Sequence, residues 1–499
     1  MTTFAPLPLG QRIPASQHGV SCSLPTMRAV VGYEERDPEI LRHLTSGYPR
    51  FVIHPFVRQL SAIFSEELEL DQQTLWLTAS ARTADDLATE LGAAHVIRIA
   101  HDGLHGVAHP ASPELFSRAK TFLQNTVGFL GSREAEDHLV RRGILPQAQP
   151  EATEERDPLG VVIRSIQTGF AGTQPEDIIL APSGMSAFHA AWRTVADLQA
   201  SRGRTVWLQL GWLYLDTIAL LKRYAKRPSD YVYLRDVTDV GAIAAACAAA
   251  GDRLAGLVTE APTNPLVQTP DLDAVSAHVR RCGGRLVIDP TLVSPLNVDV
   301  LPHADVVVNS LTKYAASEGD VLAGAVVINP AGPDAAFLRN RITHRTDSIY
   351  HRDLARLAAQ IGDYAEVIAR TNATTPAVAA FLEHHAKVKQ VFWSHSPATR
   401  SQYLKLARSP EHVGAIISFS LHTPLTDFYD RLRLPKGPSF GMKTTLICPF
   451  IYLAHYDLVT SDAGRTELAA SGIDPNLLRL SIGCEPADEI IGALAEALA

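Results

Sequence analysis

Six short runs rich in β-branched residues recur between residues 177 and 330: "DIILAPSG", "TVWLQLG", "LAGLVTEAP", "RLVIDP", "DVVVNS" and "AGAVVINP". Most are apolar almost throughout, as parallel strands buried on both faces must be. Longer helical patterns such as "SAFHAAWRTVADLQASRG" and "TPDLDAVSAHVRRCGG" lie between several of them. Repeated β-α-β units of this kind specify a doubly wound α/β sheet. Such sheets bind ligands outside the carboxyl ends of their strands, so the polar residues that follow each run are where function is sought.

The rest of the chain divides around this rhythm. Residues 1–60 read as an arm with few periodic signals, and 61–175 as an extra α/β insert carrying "TLWLTAS", "TADDLATEL", "HVIRIA" and "ELFSRAKTFLQNTV". The repeating units occupy 176–333 as a large domain, and 334–499 reads as a smaller α+β domain, mostly helical over 335–410. With 499 residues and a 46% hydrophobic fraction, two or three domains have ample core. A net charge of −8 gives no attraction for nucleic acid or an anionic membrane. No apolar run approaches the roughly 20 residues that span a bilayer, and the N-terminus lacks a secretory pattern. Five scattered cysteines without a CxxC pair fit a reducing cytoplasm, not a disulfide framework or a structural zinc site. No metal is expected.

The strand ends carry the chemistry. "PSGMSAF" opens a helix, where the backbone N–H groups of Gly184 and Met185 either hold a phosphate or simply complete a turn capped by Ser183. Tyr214 follows the second run, placed to stack on an aromatic ligand or to fill a half-buried site. Asn264 follows the third, before Pro265. Asp289 ends an apolar strand, where a carboxylate must cap the next element or meet a cation such as a pyridinium nitrogen. "DVVVNSLTK" then brings Ser310, Thr312 and Lys313 to one strand end. A lysine desolvated there has a free amine for Schiff-base chemistry. A phosphate cradle, a flat aromatic, an aspartate and an amine together describe a pocket for pyridoxal phosphate.

These residues carry a resemblance. "APSGMSAF", "YLDT" at Tyr214 and Thr217, "EAPTNP", "IDPTLVSP", "SLTKYAASEGD" and "RLSIGCE" are similar, in order and spacing, to the motifs of the Cys/Met-metabolism family of pyridoxal-phosphate enzymes. The opening "LPLGQRIPASQHGVSCSLPTMRAVVGYEE" and the late "SFGMKTTLICPFIYLAHYD" resemble its fungal-type cystathionine γ-synthase branch. The resemblance implies the aspartate-aminotransferase-like fold (fold type I): a three-layer α/β/α large domain and a smaller C-terminal α+β domain. It implies that Lys313 carries the cofactor, Asp289 pairs with its ring nitrogen and Tyr214 stacks on its ring. Gly184, Met185, Ser310 and Thr312 would hold the phosphate, with Asn264 and Thr291 also at the cofactor. Tyr48 and Arg50 would reach a neighbouring subunit's phosphate, implying a homodimer or homotetramer, with Arg133 as their rival. Arg479 and Ser439 would hold the substrate's α-carboxylate.

The implied reaction is γ-replacement on an O-acylhomoserine by cysteine to give cystathionine, within transsulfuration and methionine biosynthesis. A γ-lyase or an O-acylhomoserine sulfhydrylase is the near alternative, and a non-catalytic binding protein of the same fold the distant one. The sequence departs from the family at Val52, Ile53 and His54, where the family has Gly-Asn-Pro, and at Ser317, Glu318 and Gly319, where it has Gly-His-Ser. Thr444 replaces a glutamate.

Overall fold

The computed structural model describes residues 4–45, 52–92, 94 and 96–499. Tyr48 and Arg50, on which the expected subunit contact rests, lie outside the described residues.

All six apolar runs form strands of one sheet, joined by a seventh. In chain order they are β1 (Ile178–Ala181), β2 (Val206–Leu210), β3 (Tyr231–Leu234), β4 (Leu254–Glu260), β5 (Arg285–Asp289), β6 (Val306–Ser310) and β7 (Gly324–Ile328). Their spatial order is β1-β7-β6-β5-β4-β2-β3. Helices cover both faces, because alternate residues of each buried strand point to opposite sides. Val306 and Val308 pack with Ala187, Ala191 and Trp192 of the helix Gly184–Ser201. Val307 and Ile288 pack on the other face with Val275 and Val279 of the helix Leu272–Arg281. This is the expected three-layer arrangement.

Two details differ from the sequence reading. β3, "YVYL", was not among the expected strands. It sits at the sheet edge, where all four residues are only half-buried, so it lacks the apolar run of its neighbours. β7 was expected among the parallel strands but runs antiparallel to both β6 and β1. The segment from Leu311 to Ala323 contains only a short 3-10 turn, Tyr314–Ala316, so the chain has no crossover helix and must double back.

The C-terminal region contains a four-stranded antiparallel sheet of Val388–Phe392, Ile416–Leu421, Leu478–Ser481 and Leu446–Pro449, in that spatial order. Val388–Phe392 falls inside the stretch read as mostly helical. "VKQVF" is an edge strand without a fully buried residue, so its sequence carries little strand patterning. In the N-terminal part, Gln73–Thr78 and Ile97–His101 flank Leu104–Pro110 in a three-stranded antiparallel sheet. Asp102 and Gly103, with φ of 49° and 76°, make the two-residue turn that an Asp-Gly pair favours between strands.

This N-terminal part is tied to the main sheet by buried charge. Arg133 is 1% exposed. Its guanidinium donates to Glu151 (2.7–3.1 Å), to Asp353 Oδ1 (2.8 Å) and to the backbone carbonyl of Asp320 (2.8 Å). Arg352 pairs with Glu136, Asp137 and Glu151 beside it, while Arg356 and Gln360 hold the Asp320 carboxylate. Arg133, the rival phosphate ligand, is therefore committed to structure: carboxylates and a carbonyl already take its donors. Replacing it with methionine leaves the half-buried Asp353 without its cation and Glu151 with Arg352 alone. Arg133→Met should lower the unfolding free energy by about 3 kcal/mol, the low end for breaking a buried pair, read from urea denaturation.

Candidate active site

The parallel strands β1, β2, β4, β5 and β6 bring their carboxyl ends to one edge of the sheet, and a cleft opens there with about 730 Å³ of space, part of it open to solvent. It is lined by Gly184, Met185, Tyr214, Thr217, Glu260, Asn264, Asp289, Thr291, Ser310, Thr312, Lys313 and Phe440. The loops after five different strands thus meet in one place.

At one end lies the start of the helix Gly184–Ser201. Ser183 caps it by accepting from the Ser186 N–H at 3.0 Å. The N–H groups of Gly184 and Met185, in the first turn, have no acceptor within the helix. A Cβ on Gly184 would stand 2.7 Å from Ser310 Cβ, so only glycine lets the helix end and the β6 end close into this cradle. Thr291 Oγ1 supports the same corner, accepting from the Ser310 N–H at 2.8 Å. Thr312 lines the cavity, but its hydroxyl donates to the Ala323 carbonyl (3.2 Å) and accepts from the Ala323 N–H (3.0 Å). It has no second proton to give a phosphate.

Two carboxylates form the floor. Asp289 and Glu260 are register partners on the adjacent strands β5 and β4. Burial pushes the Asp289 carboxyl up to about 6, against the Thr291 hydrogen bonds and the Lys313 charge, which pull it down. Its Oδ1 accepts from the Thr291 N–H at 2.8 Å. Burial and then the Asp289 charge push Glu260 well up as well. Glu260 Oε1 accepts from the Tyr214 N–H (2.5 Å) and Oε2 from the Asn264 N–H (3.1 Å). Paired buried acids of this kind suit a cationic ring placed against them.

Lys313 reaches in from the turn after β6. Its Nζ donates to Ser439 Oγ at 3.2 Å and stands 4.7 Å from the Phe440 ring centre. Ser439 has φ of +101°, a region that side chains rarely occupy, and Val127, which lines the first chamber, has φ of +50°. Both are strained positions at the cavity, where such strain is held in place by the surrounding fold. Val127 follows the helix Pro113–Thr126, so the segment read as an insert forms part of this wall.

A second chamber of about 560 Å³ shares Tyr214, Asn264, Lys313 and Phe440 with the first and adds Leu215, Pro438, Ser439, Cys448, Phe450, Leu453, Ala454 and Arg479. Arg479 is 6% exposed. It donates to Asn264 Oδ1 and to the Ser439 carbonyl, both at 3.2 Å, and lies over Phe440 and Phe450. Its Nε–H is buried without a hydrogen-bond acceptor, and among the described residues no carboxylate pairs with it. A desolvated guanidinium with an unspent donor is built to receive an anion.

The structure thus brings Gly184, Met185, Tyr214, Asn264, Asp289, Thr291, Ser310, Thr312, Lys313, Ser439 and Arg479 around two connected chambers. Sequence reasoning gave no role at the site to Glu260, Val127 or Phe440, and read Cys448 as buried packing. Glu260 did carry a signal, the same one as Asp289: an acid closing an apolar strand. The other three have none, because packing alone places them. The donor set fits pyridoxal phosphate. The glycine cradle suits the phosphate, the paired acids suit the ring nitrogen, and Lys313 is an amine within reach for the aldehyde.

Comparison with known proteins agrees. Residues 171–499 match the profile of the family described as Cys/Met metabolism PLP-dependent enzyme. The chain is 39% identical to the L-2-amino-4-chloropent-4-enoate dechlorinase/desaturase of Streptantibioticus cattleyicolor, over 97% of both chains. It is 24% identical to the cystathionine gamma-synthase of Neurospora crassa, over 99% of this chain and 98% of that one. Among solved structures, the cystathionine gamma synthase of Xanthomonas oryzae pv. oryzae in complex with aminoacrylate and cysteine superposes with a TM-score of 0.59 at 24% identity, covering 70% of this chain and 88% of that one. The chain belongs to the Cys/Met metabolism family of pyridoxal-phosphate-dependent enzymes.

Proposed function

We propose that the chain eliminates a leaving group from Cγ of a small L-amino acid whose side chain is uncharged. The observation that carries this reading is the makeup of the second chamber. Arg479 is its one guanidinium; Tyr214, Asn264, Lys313 and Ser439 are its other polar lining residues, and the rest, Leu215, Pro438, Phe440, Cys448, Phe450, Leu453 and Ala454, is largely apolar. Among the described lining residues, only Lys313 and Arg479 are charged. One α-carboxylate is provided for, and an apolar side chain fits the remainder. A second amino acid, bringing its own ammonium and carboxylate, has no charged partner there. The 39% relative supports this, since the substrate in its name carries chlorine on Cγ and no charge in its side chain.

Bound pyridoxal phosphate supplies the electron sink that acidifies the α-carbon's proton. Arg479 holds the α-carboxylate with Nε–H and a terminal N–H, which fixes the amino acid's orientation beside Lys313. Lys313 Nζ, steadied by Ser439 Oγ, takes the proton from Cα and can carry it. Asp289 balances positive charge at the ring nitrogen. Phe440 and Phe450 keep water from the reacting carbons. Lys313 then hands the Cα proton back to the carbon skeleton and accepts the one lost from Cβ, so that one proton and the Cγ substituent, as its anion, leave in all.

The second reading is γ-replacement by cysteine to give cystathionine, favoured by the full-length likeness to the Neurospora crassa synthase. One assay separates the two. The enzyme is incubated with L-2-amino-4-chloropent-4-enoate alone, and with O-acetyl- or O-succinylhomoserine plus cysteine. Chloride release from the first is the expected result. Cystathionine from the second mixture, with no chloride from the first, would reject elimination as the main reaction.

A further inference from the structure

Glu260 is used by none of the steps above, yet it touches both chambers through the backbone. One carboxylate oxygen takes the N–H of Tyr214, on the loop after β2, and the other takes the N–H of Asn264, on the loop after β4. Tyr214 lines both chambers, and Asn264 holds Arg479 through Oδ1 at 3.2 Å. The carboxylate is 7% exposed on a strand register with Asp289, so water cannot replace either bond cheaply.

We infer that Glu260 is a positioning residue that locks the Tyr214 and Asn264 loops together, so that the cofactor chamber and the carboxylate-binding chamber take their working shapes as one unit. Only a carboxylate can do this. Both N–H groups need acceptors, and a glutamine in the same place has one acceptor oxygen and an amide that would face the other N–H donor to donor. The geometry also accounts for a buried acid that costs the fold something: burial and the neighbouring Asp289 charge both oppose its ionisation. A purely structural glutamate would contribute stability; this one is held against that cost at the junction of the two chambers. The part concerning Arg479 rests on the proposed reading of that residue as the carboxylate ligand.

The test compares wild type, Glu260→Gln and Glu260→Asp as full-length chains. Three quantities are read: the dissociation constant of pyridoxal phosphate, the dissociation constant of L-norvaline from the change in bound-cofactor absorbance, and the melting temperature without added cofactor. L-norvaline has no leaving group, so its binding does not depend on which reaction the enzyme performs. In Glu260→Gln both dissociation constants should rise about tenfold, the loss expected when a charge-assisted hydrogen bond is removed. Glu260→Asp, which keeps both acceptor oxygens, should recover part of each. The melting temperature of Glu260→Gln should stay within a few degrees of wild type, because removal of a buried charge offsets the one N–H left without an acceptor. Unchanged cofactor and norvaline affinities overturn the inference. So does a variant that fails to fold or melts well below wild type, since that would mark Glu260 as structural. Weakened cofactor with unchanged norvaline binding refutes the coupling and, with it, the Asn264–Arg479 link, while leaving the elimination reading to its own assay.

Discussion

Replacing Lys313 with alanine should cut turnover by about 10⁴-fold, the upper range for loss of a positioned acid–base group, and should also abolish covalent capture of the cofactor. The two losses have one physical origin. Lys313 lies at the end of β6, where the turn Tyr314–Ala316 points it back over the sheet edge, and its amine meets Ser439 Oγ and the face of Phe440. Among the described residues no other lysine lines either chamber, so no second amine is placed to capture the cofactor. The fold should survive, because Lys313 is half-buried against a cavity and its removal leaves no buried partner charge without compensation beyond Asp289, which protonates readily. The check is twofold: product formation in the assay above, and the visible absorbance of a lysine imine with pyridoxal phosphate. Retained activity in the alanine variant would remove Lys313 from the mechanism.

Asp289→Asn is the second large effect, and it should move function and stability in opposite directions. In the proposed reading the carboxylate is the charge that stabilises a protonated ring nitrogen, so its loss should reduce kcat by roughly 10²–10³-fold, the scale of one preorganised electrostatic contact. Stability without cofactor follows from the sign of the shift. Burial raises the Asp289 carboxyl from 3.8 to about 6 in the folded protein. The folded state therefore binds the proton more tightly than the unfolded one, and the associated stability is present below pH about 4 and lost as pH rises through about 6. Asparagine never ionises. The cofactor-free variant should melt above wild type at pH 7.5, with the difference vanishing near pH 4. Melting curves at the two pH values check this, and a variant less stable than wild type at pH 7.5 would show that the carboxylate is satisfied in the empty site.

The sequence was legible where burial is two-sided. The six apolar runs read as strands covered on both faces, as all six are although Ile178–Ala181 lies at the sheet edge, and five of the six ended in residues that line the cavity or cap its helix: Ser183 and Gly184, Tyr214, Asn264, Asp289, and Ser310 with Lys313. Among the strands that escaped notice, Tyr231–Leu234 and Val388–Phe392 lie at sheet edges and lack a fully buried residue, whereas Leu104–Pro110 is the mostly buried centre of its sheet and the Asp-Gly turn before it was the available signal. The antiparallel run of β7 could have been read from the lack of a helix between Leu311 and Ala323.

By itself, then, the sequence determined the α/β sheet and the cofactor class and singled out Lys313 as the candidate amine, because these depend on local periodicity and on residue types at strand ends. Only the tertiary structure decided that Arg133 is bound to Glu151 and Asp353, that Thr312 has its proton committed to Ala323, and that Val127 and Phe440 wall the site. It alone decided that Glu260 bridges two loops 50 residues apart in sequence, from Tyr214 to Asn264. Those facts depend on which donors and acceptors meet across long separations in the chain, and on which of them are shut away from water. Neither is written in any short stretch of residues.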